Sequence, residues 1–532
     1  MNNKDMKLKQ KVKSSLRCII ILFCCVNYIG LMAQENPNVV FIFVDDLGYG
    51  DVGCYGATKV QTPNIDKLAS EGMMFTDAHS ASAVCTPSRY ALLTGQYPLR
   101  AKNGYGTWGP LPTDASLIID TTQNTIGKVF KNKNYATACI GKWHLGFGLE
   151  KNDFSKPLKI GPLAVGFDYY FGVPNVNSGS PYVYVENDRI VGWDPKDPIV
   201  YNGQPVSPTP TFPEEAGRKT PNKFSGALEA HKLYDDERTG TLLTEKAVKW
   251  IDKNKEKPFF LYFSTTNVHH PYTPNPKFKG TSQCGLYGDF IHELDWMVGE
   301  LMKYLEVNNL RDNTLVVFTS DNGGMLNEAS KIALEAGHYK NGDLLGYKFG
   351  AWEGGHRVPF IARWPEKIKA NSVSDELICN VDMLSTFAAL TAQQLEDNNV
   401  MDGINILPAL LDVEAELDRD HLILAPRQGK NLAVRKGKWM YIDAQGSGGF
   451  SYNKKNPHAI GGPYAVTLSG KENSDIENGK IKQNAPPAQL YNLEEDVEQT
   501  TNLYKLYPKV VEEMKAILDT YMTKAERNQR RR

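Results

Sequence analysis

Three long apolar runs, each followed at once by polar side chains, constrain the fold of this chain most strongly. The runs are Asn38–Val44 (NVVFIFV), Pro258–Ser264 (PFFLYFS) and Thr314–Ser320 (TLVVFTS). Runs of this kind, rich in Val and Phe and without polar alternation, are typical of strands buried on both faces of a parallel sheet. Segments with helical periodicity lie between them, at Thr62–Ser70, Leu242–Lys253 and Gly288–Val307. We therefore predict an α/β fold with a mixed, mostly parallel central sheet flanked by helices.

The polar residues directly after the three runs are candidates for a common site. Ligand sites in open α/β sheets lie beyond the carboxyl ends of the strands. We therefore expect the three loops to converge in space. Their polar residues are Asp45 and Asp46, then His269 and His270, and then Asp321 and Asn322.

Two of these pairs, Asp45 with Asp46 and Asp321 with Asn322, offer four side chains with oxygen ligands. Oxygen ligands without Cys or His favour Ca²⁺ or Mg²⁺ over zinc. Such pairs also occur in ordinary turns and helix caps, but here both come directly after a predicted buried strand. The residue types predict a Ca²⁺ or Mg²⁺ site and do not distinguish the two ions.

The length of 532 residues predicts a large domain and a smaller one. We place the large α/β domain at 34–410, with long loops at 150–235 that we expect to shape substrate choice. Short strands and a last helix predict a smaller α+β domain with an antiparallel sheet at 411–532. Its predicted elements are the strands Asn431–Val434 and Lys438–Asp443, a polar loop up to Ala488, and the helix Pro508–Arg527.

The segment 1–33 is typical of a signal peptide, because basic residues precede an apolar run at Cys18–Met32. The run is interrupted by Asn27 and is shorter than the roughly 20 residues that a membrane-spanning helix needs. We expect an exported protein, periplasmic or secreted, without stable membrane insertion after cleavage. The net charge of -1, from 60 basic and 61 acidic residues, argues against a nucleic-acid partner.

Five cysteines lie beyond the leader, and their spacing fits neither a zinc site nor a disulfide framework. Cys54, Cys139, Cys284 and Cys379 are expected to be small buried residues. Cys85 differs from them because it begins the segment CTPSRYALLTG. This segment resembles the signature of formylglycine-dependent sulfatases, in which C-x-P-S-R precedes Leu-Thr-Gly.

The resemblance to this family implies the alkaline phosphatase-like form of the α/β fold and hydrolysis of a sulfate ester. It also implies that a maturation enzyme oxidises Cys85 to formylglycine. The hydrated aldehyde has two hydroxyls, so one can attack sulfur while the other later loses a proton and expels sulfate by C–O cleavage. By the same resemblance, the four residues with oxygen ligands hold Ca²⁺, and residue 85 completes its coordination.

The segment GKWHLG, at Gly141–Gly146, resembles the second signature of the family. The resemblance implies that Lys142 binds a sulfate oxygen and that His144 deprotonates the covalent sulfate intermediate. Because these two residues are two positions apart, an extended segment would direct both side chains to one face.

Two more segments resemble family motifs. In VHHP, at Val268–Pro271, His269 matches the general acid that protonates the departing alcohol, while His270 contacts substrate or is structural. The register between the two histidines stays open. Lys348, which precedes EGGHRVP, matches a lysine that contacts sulfate, and Arg89 lies one helical turn after Cys85. We expect Arg89 to hold the oxygen of residue 85 and the metal carboxylates in place.

The loops at 150–235 are rich in Tyr and Asn, which suits a sulfated carbohydrate substrate. The segment Asn175–Gly192 resembles sulfatases that act on galactose or N-acetylgalactosamine 6-sulfate. Two alternatives stay open: a phosphate or phosphonate ester hydrolase of the same superfamily, and a catalytically silent homologue that binds glycans.

Overall fold

The computed structural model describes residues 36–101, 109–201, 224–395, 401–450 and 459–522. The chain divides into two compact units, 1–37 and 38–532, and the predicted leader at 1–33 lies outside the described residues. The domain boundary predicted at residue 410 stays a prediction. Within the described ranges, the structure contains no helix with the length and apolar character needed to cross a membrane.

The described residues contain strands between Asn38 and Asn492. These are β1 (Asn38–Val44), β2 (Met73–Phe75), β3 (Ala78–His79), β4 (Ala136–Gly141), β5 (Tyr169–Gly172), β6 (Val185–Glu186), β7 (Arg189–Ile190), β8 (Val200–Tyr201), β9 (Phe224–Ser225), β10 (Phe259–Ser264), β11 (Thr314–Ser320), β12 (Phe360–Arg363), β13 (Ser372–Ser374), β14 (Ile378–Cys379), β15 (Leu422–Leu424), β16 (Ala433–Lys436), β17 (Trp439–Ile442), β18 (Ile476–Glu477), β19 (Lys480–Ile481) and β20 (Gln489–Asn492).

The α-helices separate many of these strands. They are α1 (Pro63–Ser70), α2 (Cys85–Thr94), α3 (Ile126–Lys131), α4 (Leu228–Leu233), α5 (Thr239–Asn254), α6 (Gly285–Val307), α7 (Lys331–Glu335), α8 (Glu353–His356), α9 (Met383–Leu390), α10 (Leu407–Leu411), α11 (Gly462–Leu468) and α12 (Pro508–Thr520).

The central sheet has ten strands in the order β13-β2-β12-β11-β1-β10-β4-β5-β6-β7. The pairs from β11 through β1, β10 and β4 to β5 are all parallel. The flanking pairs β11–β12, β12–β2, β5–β6 and β6–β7 are antiparallel. The predicted mixed, mostly parallel sheet is confirmed, and the three apolar runs form its adjacent central strands.

Strand β1 shows why these runs are apolar throughout. Val39, Phe41 and Phe43 pack into one hydrophobic core, with side chains of α2, α3 and α9. Val40, Ile42 and Val44 pack into a second core, with side chains of α1, α5 and α6. Since successive residues of a strand point to opposite faces, a strand covered by helices on both sides needs apolar residues at every position.

A separate antiparallel sheet has the strand order β15-β16-β17-β20. This confirms the antiparallel sheet predicted near the C-terminus. Its first predicted strand is misplaced, because Gly429–Asn431 forms a 3₁₀ turn and the strand begins at Ala433. The polar loop predicted to reach Ala488 also contains the short helix α11, where a Pro in the first turn and two buried residues, Ala465 and Val466, favour a helix. The last helix ends at Thr520 among the described residues.

The segment 150–235 is not composed of loops alone. Strands β5, β6 and β7 lie within it and extend the central sheet at one edge. These strands contain four, two and two residues. Strands this short have no apolar run or clear alternation, so the sequence pattern did not reveal them.

Candidate active site

The three predicted loops converge at the carboxyl ends of β1, β10 and β11. The parallel register places Val44 beside Ser320 and Phe43 beside Ser264. Backbone hydrogen bonds then continue past the strand ends, because Asp321 N donates to Val44 O at 2.9 Å and Asp45 N donates to Asn267 O at 3.0 Å. The order of the strands therefore brings residues from distant parts of the chain into one site.

The predicted metal ligands lie together in the interior. The backbone N of Asp46 donates to Asp321 Oδ1 at 3.1 Å, and Asn322 Nδ2 donates to Asp46 Oδ1 at 2.9 Å. Asp45 lies beside them, and all four side chains are buried. Ligand atoms of Asp45, Asp46 and His269 lie within 4.8 Å of one another, so the structure adds a histidine to the edge of this group.

Two oxygens of this group have no hydrogen-bond partner among the described residues. They are Asp46 Oδ2 and Asn322 Oδ1, and both are buried. A buried acceptor without a partner costs about 1–3 kcal/mol, and more when it is charged. A hard cation would satisfy both oxygens, so the residues present fit a Ca²⁺ or Mg²⁺ ion.

The three predicted basic residues of the site form ion pairs with its carboxylates. Arg89 Nη2 lies 2.6 Å from Asp321 Oδ2 and 3.6 Å from Asp45 Oδ1. Lys142 Nζ donates to both carboxylate oxygens of Asp45, at 2.7 and 2.8 Å. Lys348 Nζ donates to Asp46 Oδ1. Three positive and three negative side chains therefore face one another out of contact with solvent.

Burial and the neighbouring charges shift the pKa values of Asp45 and Asp321 in opposite directions. Burial raises the pKa of Asp45 to about 7, against the opposing effect of Lys142. Burial also acts to raise the pKa of Asp321, but Arg89, Lys142 and Lys348 outweigh it and the pKa is lowered. Paired titratable groups with opposite shifts are typical of functional sites.

Cys85 is the first residue of helix α2 and lies beside the cluster of carboxylates and basic residues. Cys85 is 2% exposed, and burial raises the pKa of its thiol. Its Sγ lies 3.5 Å from His144 Nδ1. The predicted helical turn between Cys85 and Arg89 is confirmed, and it directs Arg89 to Asp321, with a second hydrogen bond from Arg89 Nη1 to Ser264 Oγ.

The segment from Gly141 to His144 departs from a regular strand. Strand β4 ends at Gly141, whose φ is 121°, and His144 has a φ of 55°. A side chain at Gly141 would meet the carbonyl oxygen of Ser264, which explains the glycine. Lys142 and His144 nevertheless both reach the site. Burial, with Lys142 and Arg89, holds the pKa of His144 well below its ordinary value, so the ring is neutral.

Of the two adjacent histidines, His269 contacts the carboxylate cluster. Its Nε2 lies 3.8 Å from Asp46 Oδ2, and its Nδ1 lies 2.6 Å from His270 O and 3.1 Å from Asn177 Oδ1. The two rings stack with centroids 4.5 Å apart. Burial and the charge of Lys348 hold the pKa of His269 well below its ordinary value.

A cavity of about 350 Å³ lies over the site. Five predicted residues line it, namely Cys85, His144, His269, His270 and Lys348. Its walls add residues without a predicted role, among them Val176, Ser178, Met325, Phe349, Arg427 and Phe450.

Sequence reasoning missed several polar residues of the site. Ser264 is the last residue of a predicted strand, and Asn177 lies in the segment Asn175–Gly192. The positions of these two residues in the sequence could therefore have indicated that they belong to the site. Arg427 carried none, because the sequence around it shows no motif.

Known proteins resemble this chain over most of its length. The family model described as Sulfatase matches residues 37–393. An N-acetylgalactosamine-6-O-sulfatase from Bacteroides thetaiotaomicron is 37% identical over 513 residues, which cover 92% of this chain and 94% of that protein. An N-acetylgalactosamine-6-sulfatase from Rattus norvegicus is 34% identical over 407 residues, which cover 75% of this chain and 71% of that protein.

The structure also resembles a solved one. A sulfatase studied for the metabolism of multiple glycosaminoglycans by Bacteroides thetaiotaomicron superposes with a TM-score of 0.79 at 35% identity. The match covers 92% of this chain and 99% of that chain.

Proposed function

The chain belongs to the sulfatase family and is a sulfuric ester hydrolase, and from this premise we propose its chemistry and its substrate, a sulfated sugar. We propose that residue 85 is the nucleophile, as formylglycine, and that the substrate is a 6-sulfated galactose or N-acetylgalactosamine. The observation that carries the proposal is the position of Cys85. It lines the cavity beside His144 and Lys348, next to a cluster of three buried ion pairs.

Two groups supplied after synthesis belong to the proposal. Formylglycine at position 85, once hydrated, supplies one hydroxyl for attack on sulfur and another whose deprotonation releases sulfate by C–O cleavage. A cation, Ca²⁺ or Mg²⁺, would be held by Asp45, Asp46, Asp321 and Asn322, whose unpartnered oxygens support it, and it supplies a Lewis acid.

The fixed charges of the chain suit an anionic substrate. Three carboxylates and three basic side chains balance one another, so a divalent cation would leave the site positive. Lys142 is paired with Asp45 and Lys348 with Asp46. We infer that both lysines bind sulfate oxygens while they keep these pairs. Preorganised positive charge of this kind is usually the largest contribution to catalysis.

The two proposed proton carriers have different neighbours in the site, since His144 lies beside Cys85 and His269 beside Asp46. His144 Nδ1, at 3.5 Å from Cys85 Sγ, is placed to take a proton from residue 85, and its low pKa keeps it neutral for that task. His269 donates Nδ1–H to the carbonyl of His270, so Nε2, which lies 3.8 Å from Asp46 Oδ2, is the nitrogen left for proton transfer. The negative charge of a bound sulfate ester would favour its protonated form. We assign the general acid to His269 and a substrate contact to His270.

The sugar assignment is drawn from two relatives and from the segment Asn175–Gly192, whose sequence resembles sulfatases that act on these 6-sulfated sugars. Two relatives of the chain carry N-acetylgalactosamine 6-sulfatase names. The segment Asn175–Gly192 also contributes Val176, Ser178 and Gly179 to the cavity wall. The predicted export and the maturation enzyme that would act on Cys85 stay predictions.

A substrate panel tests the proposed reaction. We expect kcat/KM for an aryl sulfate to exceed that for the matching phosphate by at least about tenfold, or about 1.4 kcal/mol of transition-state binding. Among sugars, we expect 6-sulfated N-acetylgalactosamine or galactose to be cleaved faster than the 4-sulfated isomer. Initial rates of sulfate and phosphate release measure both ratios, and a preference for phosphate would contradict the assignment.

Removal of the cation tests the metal site. We expect EDTA to abolish turnover and to lower the Tm, because an ion bound only to the folded state stabilises it by about 2.7 kcal/mol at one hundred times its Kd. Re-addition of Ca²⁺ or Mg²⁺ in separate samples shows which ion restores activity. The variant Asp46→Asn should lose the metal-dependent Tm shift, whereas Asp418→Asn, which neutralises an exposed carboxylate, should keep it. Full activity after exhaustive chelation would refute the metal site.

A further inference from the structure

Arg427 lines the same cavity as Cys85 but comes from the C-terminal part of the chain, just after strand β15. Its backbone N donates to Phe349 O at 3.0 Å, and Phe349 N donates to Ala83 O at 2.7 Å. Phe349 is the residue directly after Lys348, and Ala83 lies two residues before Cys85. These bonds place Arg427 beside the two segments that carry the sulfate site.

Unlike the other basic residues of the site, Arg427 has no carboxylate partner among the described residues. Arg89, Lys142 and Lys348 each lie on an aspartate. No ion pair of Arg427 is found within the described ranges, and its Nε is buried without a hydrogen-bond partner there. The guanidinium group of Arg427 therefore places a positive charge on the cavity wall, and no carboxylate among the described residues neutralises it.

The guanidinium group of Arg427 is also held in a defined place. Its Cζ lies 4.1 Å from the ring centroid of Phe450, and Phe450 meets Phe349 edge-on with centroids 4.6 Å apart. Stacking on an aromatic ring orients the planar group and leaves its edge N–H donors available. A planar fork of this kind matches the oxygens of a carboxylate or a sulfate.

We propose that Arg427 is a specificity-determining residue that binds a second anionic group of the substrate, apart from the sulfate that is cleaved. The inference rests on the proposed function. The reacting sulfate already has Lys142, Lys348 and Arg89 as its cationic surroundings, so a further unneutralised arginine in the wall suits another anion. That anion is a carboxylate on a neighbouring sugar or a second sulfate on the same sugar, since both offer the same oxygen pair.

Three substrates separate these sources. They are N-acetylgalactosamine 6-sulfate, its 4,6-disulfate, and a disaccharide that links the 6-sulfated sugar to a uronic acid. We expect Arg427→Gln to lower kcat/KM for at least one substrate with a second anion by about 10- to 100-fold, mainly through KM, as loss of a hydrogen bond to a charged group predicts. The monosulfate should change by less than about threefold, because it lacks the group that Arg427 binds.

Two further variants serve as controls. Arg427→Lys keeps the charge without the planar fork and should lose less than Arg427→Gln. Arg238 is an exposed arginine outside the segment 150–235, and it does not line the cavity. Arg238→Gln should leave all three rates unchanged, and unchanged Tm values should show that the variants are folded.

The outcomes distinguish the inference from the function on which it rests. A loss confined to the uronic acid disaccharide identifies a carboxylate, and a loss confined to the disulfate identifies a second sulfate. An equal loss on all three substrates would overturn the inference, because Arg427 would then act on the reacting sulfate or on the fold. No loss on either doubly charged substrate would overturn it too. If the wild-type protein cleaved no sulfate ester at all, the proposed function would fail instead.

Discussion

Cys85→Ala is expected to lower kcat for sulfate ester hydrolysis by roughly 10⁴- to 10⁶-fold, the range seen when a group of a nucleophilic catalytic unit is removed. Alanine leaves Asp45, Asp46, Asp321, Asn322 and the basic residues in place but provides no oxygen to attack sulfur. The loss should therefore appear in kcat, while the binding of a sulfated sugar persists. Single-turnover kinetics and direct binding measurements would separate the two effects.

Cys139→Ala provides a matched control for this variant. Cys139 is as deeply buried as Cys85, but it lies inside strand β4 and does not line the cavity. Its replacement should leave kcat close to the wild-type value. Mass spectrometry of the active wild-type protein should show an aldehyde in place of the Cys85 thiol. Full activity with an unmodified cysteine, or full activity of Cys85→Ala, would refute the nucleophile.

The second large effect is expected for His269→Gln, and it should depend on the leaving group. A general acid contributes about 10²- to 10⁴-fold when the departing oxygen needs a proton, and little when the leaving group is already a stable anion. We therefore expect a fall of that size in kcat for a sugar sulfate. For 4-nitrophenyl sulfate, whose leaving group needs no proton, the fall should stay below about tenfold.

His270→Gln is the matched control, because its ring stacks on His269 and lines the same cavity. A residue that contacts substrate without transferring a proton should affect the sugar sulfate mainly through KM, and its effect should not vary with the acidity of the leaving group. If the dependence on the leaving group appeared in His270→Gln and not in His269→Gln, the two roles would have to be exchanged. Equal losses on both substrates would argue against proton transfer by either histidine.

The central sheet could be predicted from the sequence because its middle strands are buried on both faces. Asn38–Val44 and Thr314–Ser320 coincide with β1 and β11 as predicted, and β10 begins one residue late, at Phe259. Burial on both faces favours an apolar side chain at nearly every position of such a strand, and this run is visible in the sequence. Strands β6 and β7, the last two at one side of the sheet, contain two residues each, and nothing in a segment that short distinguishes a strand from a turn.

The members of the site were also visible in the sequence, but their contacts were not. Family motifs and strand ends pointed to Asp46, Lys348 and Arg89. Lys348 donates a hydrogen bond to Asp46, and Arg89 bridges Asp321 and Ser264. Both contacts depend on how separate loops meet in three dimensions. Arg427 escaped prediction for the same reason, since only the folded chain brings the end of β15 to the wall beside Cys85.

The 2% exposure of Cys85 has a consequence for the order of events during synthesis. An enzyme that oxidised this thiol would need to surround it, and the folded protein offers only a narrow cavity above it. Oxidation by another enzyme would therefore have to precede folding. The residues that line the cavity with Cys85 lie as far along the chain as Ala459, so the site can close only after most of the protein has been made. Long-range contacts form slowly, and this delay would define a time window in which the proposed maturation enzyme acts before folding is complete.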